Sequence, residues 1–248
     1  MLKLLLVAVF CLHLVCAKPE EREMVFRDML NNLVEKGEVR RSNGGEMTDE
    51  EIHPSEDKRE FKKRSTAALD ASEIQEYVDA HNEFRRQTTP TAGNIRYMKW
   101  SDELAAVAAS WAETCNWSHN PDRSSDSPSF GYVGENKYLT TSTANKIHRS
   151  VEYWWLENSK YDFDTQTCSS GICSHYTQVV WHDSEYVGCG VQFCPSMNGL
   201  SGWNDVTFYV CNYGPGGNYA GQDPYTEGSD CSGCPDDCCK DGLCVINR

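Results

Sequence analysis

The sequence contains no hydrophobic run of bilayer-spanning length. Leu4 to Val15 is its longest mainly apolar stretch, and about 20 such residues are needed to cross a bilayer. A transmembrane segment is therefore not expected. Basic residues are scarce too: 23 Lys and Arg stand against 37 Asp and Glu, a net charge of −14. A field of that sign excludes nucleic acid as a partner and gives no long-range attraction to anionic membranes. Two catalytic signatures are missing. No Gly-x-Ser-x-Gly elbow raises a serine nucleophile, and no His-Glu-x-x-His pair holds a catalytic zinc. Residues 18–64 contain neither Cys nor Trp, so that stretch has no bridges and little to pack.

The N-terminus reads as an export signal. Lys3 supplies a positive start, Leu4 to Val15 a short apolar core, and Val15-Cys16-Ala17 a small-residue cleavage site. Residues 1–17 are thus expected to be a signal peptide and the protein to be secreted to the extracellular space. Residues 18–64 are rich in Glu, Lys and Arg and end in Lys62-Lys63-Arg64. That run reads as a processing site, making 18–64 a propeptide. Arg40-Arg41 is a candidate earlier cut. The competing reading is a solvated tail that stays attached. Met24 to Val34 has helical periodicity under either reading. From residue 65 onward, 11 Lys and Arg face 24 Asp and Glu. That length supports one domain with a real core.

Of 13 Cys, two lie in the signal and eleven follow it. In an exported chain these predict disulfides. An odd number leaves one thiol free or paired with another chain. Six lie between Cys115 and Cys211; five crowd into Cys231–Cys244, a tail too poor in apolar residues to stand without bridges. A zinc site on Cys231-x-x-Cys234 is the rival reading, disfavoured by an oxidising compartment and the lack of a nearby His.

Periodicity predicts helices over 72–86 (Ile74, Tyr77, Val78, His81 and Phe84 inward, Ser72 as cap), 100–117 and 142–158, the last with Ile147, Val151, Trp154 and Trp155 inward. A polar loop is expected over 120–130. Tyr176–Trp181, Tyr186–Phe193 and Val206–Tyr213 are rich in β-formers and predict strands. Gly-rich 215–224 reads as a linker. Helices first and strands last suggest an α+β sandwich with an antiparallel sheet. His81 is expected to be a core residue, His182 an exposed one. Trp100, Trp111, Trp154, Trp155 and Trp181 are expected in the core, with Trp203 exposed in a turn.

Four segments carry a resemblance. Ser174-His175-Tyr176-Thr177-Gln178-Val179-Val180-Trp181-His182-Asp183-Ser184 resembles the first signature of the CAP superfamily (cysteine-rich secretory protein, antigen 5, pathogenesis-related class 1), with Ser174 in place of the usual Gly. Phe208 to Tyr219 resembles the second. Gly134-Glu135-Asn136 matches the family's turn, and His81-Asn82-x-x-Arg85 its first helix. The resemblance covers about residues 72–225 and implies a three-layer α-β-α sandwich, with the CAP domain set at 65–225. Cysteine spacing is most similar to the plant class 1 branch. That likeness implies bridges Cys115–Cys194, Cys168–Cys173 and Cys189–Cys211. The tail, 226–248, resembles the hinge of animal cysteine-rich secretory proteins. It implies crosslinks of first to third and second to fourth cysteine, among Cys231, Cys234, Cys244 and either Cys238 or Cys239. The channel-regulatory domain that follows in many venom members is not in the sequence.

The resemblance also implies a cleft with His119, Glu135, Glu157 and His175. Three readings stay open. His119 and His175 could ligate Zn²⁺ or another divalent metal, with Glu135 and Glu157 orienting them. The four could be a structural polar cluster. Or a Glu could act as general base, catalytic Glu135 or Glu157, in a metal-assisted hydrolase. Ser118 beside His119 is better explained by Asn116-Trp117-Ser118, a glycosylation sequon. Family members also bind a sterol or fatty acid, and the turn 195–205 has the Gly content and apolar tips for a binding loop. The resulting expectation is a secreted binding or effector protein for lipid, metal or an extracellular protein, a venom or defence component by family likeness. The alternatives are a hydrolase and an ion-channel modulator.

Overall fold

The computed structural model describes residues 69–142, 144–234 and 238–246. The expected signal peptide and propeptide lie outside the described residues. Helix α1 (Ala71–Arg85) begins one residue earlier than the pattern predicts, because Asp70, not Ser72, caps it. The Asp70 carboxylate accepts from the Ser72 and Glu73 amides at 2.9 Å each, and Glu73 reaches back to the Asp70 amide. That reciprocal pair satisfies donors the helix start leaves open. Strand β1 (Lys99–Trp100) precedes α2 (Asp102–Glu113), capped by Ser101. The helix expected over 100–117 is therefore shorter at both ends. Cys115 stands at φ +50°, a left-handed backbone that no helix continues through.

Strand β2 (Gly134–Thr140) was read in sequence only as a turn. Helix α3 (Ile147–Trp155) passes into a 3₁₀ turn, Leu156–Lys160, so Glu157 sits on that turn and not on the α-helix. A two-stranded ribbon, β3 (Tyr161–Asp162) and β4 (Thr167–Cys168), follows. The segment expected as a strand over 176–181 is helical: α4 spans Ser174–Val179. Its β-branched residues are overruled by tertiary contacts, since a carboxylate caps its first amides and Val179 and Val180 are fully buried. Long strands β5 (Tyr186–Ser196) and β6 (Asn204–Gly214) complete the core, with β7 (Cys239–Lys240) and β8 (Leu243–Cys244) in the tail.

The sheet order is β1-β5-β6-β2, antiparallel except for β1 against β5. Alternation along β6 assigns its two faces. Val206, Phe208 and Val210 pack with Ala108 and Ala112 of α2. Tyr209, Cys211 and Tyr213 face α1 and α3 through Tyr77, Ile147 and Trp154. Helices therefore cover both faces, the three-layer α-β-α arrangement. Helix α2 lies directly on the β5 backbone: a Cβ on Gly188 or Gly190 would collide with the main chain at Ala105 or Ala109.

The tail is joined to the fold. Cys244 donates to Ile95 O at 2.8 Å and accepts from the Tyr97 amide at 2.7 Å; Gly93 and Gly228 bond across to Thr226 and Thr91. Leu243 belongs to the main core.

Candidate functional site

Helix α2 ends at Glu113, just before Cys115, which is bridged to Cys194 near the end of β5. The loop that leaves this anchor carries His119 to Glu135, second residue of β2. The His119 Nδ1 lies 2.6 Å from Glu135 Oε1, and the Asn120 amide donates to the same oxygen at 3.2 Å. The Glu135 side chain is wholly buried, and its Oε2 has no partner among the described residues. His119 is half exposed. Lys137, two residues along the same strand face, donates to the Trp117 carbonyl and stands 4.7 Å over the Trp117 ring. Burial lowers the Lys137 pKa, while the Glu135 carboxylate acts to raise it.

The second pair forms where α3, its 3₁₀ extension and α4 meet. His175 Nδ1 lies 2.8 Å from Glu157 Oε1. Glu157 Oε2 accepts from the His175 and Tyr176 amides at 3.1 and 3.2 Å. The Cys168–Cys173 bridge fixes the chain just before this helix. Asn136, neighbour of Glu135, donates to the His175 carbonyl at 3.0 Å. Alternation on β2 puts Glu135 and Asn136 on opposite faces, so the two pairs flank the start of this strand. Each Nδ1 rests on a carboxylate, which leaves each Nε2 as the ring's open nitrogen. Among the described residues no three His, Cys, Asp or Glu come together as a cation-holding group.

A buried relay behind the site was not legible in sequence. Asn136 Nδ2 also approaches the Tyr213 hydroxyl at 3.3 Å, and that hydroxyl is 3.0 Å from His81 Nε2. His81 Nδ1 is 2.7 Å from the Tyr77 carbonyl. A carbonyl only accepts, so Nδ1 carries the proton and Nε2 accepts from Tyr213. Burial, with a smaller contribution from the Arg85 charge, lowers the His81 pKa to about 4, partly opposed by the Tyr77 bond. The unfolded chain titrates near 6.5 and binds the extra proton first. Stability is therefore present above pH 6.5 and falls as pH drops through 6.5 toward 4, by about 3 kcal/mol in all. Urea denaturation at pH 7 and pH 4 should show this loss, and His81→Gln should flatten it by that amount.

Other sequence expectations find their places. The Asn116 Oδ1 accepts from the Ser118 amide and hydroxyl, each at 3.0 Å, which engages the Ser118 hydroxyl. In the 195–205 turn, Met197 is buried and Leu200 packs on the α2 core, while Trp203 is 43 % exposed. The apolar tips thus mostly face inward. His182, expected exposed, is partly covered and lies 3.2 Å from the Pro224 carbonyl through Nδ1. Trp154 and Trp181 are buried, whereas Trp100, Trp111 and Trp155 are half-buried. The 215–224 segment is no free linker: Gly216 and Gly217 are buried, and Gly217 donates to Gln178 Oε1 at 2.9 Å.

Bridges join Cys189 to Cys211, Cys231 to Cys239 and Cys234 to Cys244. The tail thiolates are thus consumed, which removes the zinc reading for Cys231-x-x-Cys234. Between the doubled cysteines, Cys239 takes the link to Cys231. Cys238 is buried and likewise disulfide-bonded.

Comparison with known proteins bears on the whole arrangement. The chain is 41 % identical over 174 residues to GLIPR1-like protein 1 of Bos taurus, covering 69 % of this chain and 70 % of that one. It is 41 % identical over 185 residues to peptidase inhibitor 16 of Mus musculus, covering 74 % of this chain but 36 % of that longer protein. Among solved structures, Na-ASP-1 shares 28 % identity with a TM-score of 0.57, over 72 % of this chain and 48 % of that one. NaASP2 with Zn²⁺, at 22 % identity and a TM-score of 0.56 over 72 % and 97 % of the two chains, has the same fold. The family model described as the cysteine-rich secretory protein family, CAP, matches residues 78–213, from the middle of α1 to the end of β6. With more than half the chain matched and relatives at 41 % identity, the protein belongs to the CAP family.

Proposed function

We propose that this chain is an extracellular binding protein whose cleft takes a divalent cation through His119 and His175, and not a hydrolase. One observation carries the reading: each carboxylate is bonded to an imidazole. Glu157 spends one oxygen on His175 and the other on two amides. Glu135 is buried, with His119 on its Oε1. The one oxygen left unpartnered, Glu135 Oε2, is buried, so neither carboxylate reaches a water in the cleft, and a general base needs that reach. What the carboxylates do is orient imidazoles, the outer-shell role typical of metal-binding His.

The donors on offer are one ring nitrogen from each pair, with water completing the shell; among the described residues no three His, Cys, Asp or Glu gather as a ready-made cluster, so the ion would draw its ligands from both pairs. A bound cation would supply positive charge to an anionic group of a partner. Signal-peptide removal, cleavage after Arg64 and a CAP unit over 65–225 with its bridged tail belong to the same reading. A sterol or fatty acid, a channel, or inhibition of a peptidase as the name of one relative suggests, has no comparable observation here.

Calorimetric titration with Zn²⁺ tests the reading. We expect one ion per chain at micromolar affinity. His119→Ala and His175→Ala should each weaken it at least about thirtyfold, and Glu157→Gln by about tenfold or more. Two independent ions, or none, would remove the shared site.

A further inference from the structure

A cleft of ≈ 290 Å³ opens beside α4, separate from both imidazoles. The Cys168–Cys173 bridge and Tyr161 form one wall, and Asn218 to Gln222 with Pro224 form the other; Asp223 does not line the cleft, though its carboxylate accepts from the Gln166 amide. Two features set its chemistry.

The first is aromatic. The Trp181 and Tyr219 ring centroids lie 6.1 Å apart, and Tyr132 continues the row 5.6 Å beyond Tyr219. Tyr219 is 45 % exposed and Tyr132 37 %. Tyr219 lines the cleft with Tyr132 beside it and the buried Trp181 behind, and rings left this open offer apolar faces to a ligand.

The second is a polar lining with no ionised side chain. Its hydrogen-bonding groups are the amides of Gln166, Asn218 and Gln222 and the hydroxyls of Ser174 and Thr177. Some already brace the wall: Thr177 Oγ1 donates to Asn218 Oδ1 at 2.6 Å, and Asn218 Nδ2 to the Ser174 carbonyl at 2.9 Å. Among the described residues, the Ser174 hydroxyl and the Gln222 side-chain amide make no hydrogen bond within the protein. Burial pushes the Tyr161 pKa up to about 12, so its hydroxyl stays neutral.

We propose that this cleft binds a neutral oligosaccharide, with Tyr219 as the stacking platform and Gln222 and Ser174 as polar contacts. Pyranose rings present apolar C–H faces to aromatic rings and hydroxyls at their edges. An amide carries donors and acceptors together and so can serve neighbouring hydroxyls. A sulfated or phosphorylated ligand would enter without a counter-charge, against a protein of net charge −14. A lipid tail would strip water from the amides without replacing it.

The test is an NMR titration of the purified protein with the trimer of N-acetylglucosamine and with mannotriose, following the Trp181 indole and the Asn218 and Gln222 side-chain amides. A sulfated tetrasaccharide serves as comparison. We expect saturable shifts at these positions with at least one neutral sugar, with a dissociation constant on the order of 1 mM or below. Tyr219→Ala and Gln222→Ala should each weaken binding about tenfold. Both side chains are exposed, so thermal midpoints should not move. No shift with either neutral sugar, unchanged affinity in both variants, or equal binding of the sulfated sugar overturns the proposal. His175→Ala should leave sugar binding intact, which keeps this outcome distinct from that of the cation site.

Discussion

Replacing Arg85 with Met is expected to cost about 3–5 kcal/mol, among the largest effects of any single substitution here. Arg85 is fully buried near the end of α1. Among the described residues its guanidinium has no carboxylate partner. It donates to backbone carbonyls: Arg96 at 3.0 and 2.8 Å, Val179 at 2.6 Å and Ser184 at 3.1 Å. One side chain therefore ties α1 to the segment before β1, to the end of α4 and to the lead-in of β5. Desolvation holds its pKa down near 9, a value at which it remains charged at neutral pH. Met fills the space but leaves those carbonyls without their donors. Lys should not rescue, because a single ammonium cannot span the positions that a planar fork reaches. Urea unfolding of the wild type, Arg85→Met and Arg85→Lys gives the comparison. A loss below about 1 kcal/mol in both variants would show that water replaces the fork.

The second large effect is at Cys115–Cys194. The bridge closes a separation of 79 residues, whereas Cys168–Cys173 closes 5. By chain entropy the long loop contributes about 4.5 kcal/mol and the short one about 2 kcal/mol. Paired Ser substitutions should show that order in denaturant midpoints. The local consequences should run the other way. Without Cys168–Cys173, the lead-in to His175 loosens, and amide exchange at His175 and Tyr176 should quicken more than elsewhere. Equal losses from the two double variants would mean that strain or residual structure in the unfolded chain outweighs loop length.

These effects depend on features that the sequence reveals unevenly. Helix α1 was legible because its apolar residues recur at helical spacing, though Asp70 was missed as its cap. Helix α4 was not. Tyr-Thr-Gln-Val-Val is good strand sequence, and only Glu157, distant in the chain, supplies the carboxylate that holds its first amides. Strand β2 escaped because Asn136 and Lys137 do not alternate with apolar neighbours; its place comes from pairing with β6. For the site, motif likeness names four residues but not how they combine. That His119 meets Glu135 while His175 meets Glu157 depends on which loop each helix end releases. Lys137 carried no signal, since a buried Lys reads like any other, and Tyr213 was marked as strand and signature but not as a partner of His81 and Asn136.

The docking of the tail against Gly93–Tyr97 also sets how the molecule would carry load. A pull applied at Ile246 enters through the Cys244 bonds to Ile95 and Tyr97, and through the Lys99 ammonium of β1, which donates to the Ile246 carbonyl at 3.4 Å. Cys234–Cys244, separated by 10 residues, and Cys231–Cys239, by 8, limit how much slack the tail can release before tension reaches the segment before β1. The next grip on that segment is the Arg85 fork on the Arg96 carbonyl. Under force, the tail bridges, the Lys99 contact and the buried arginine share the load.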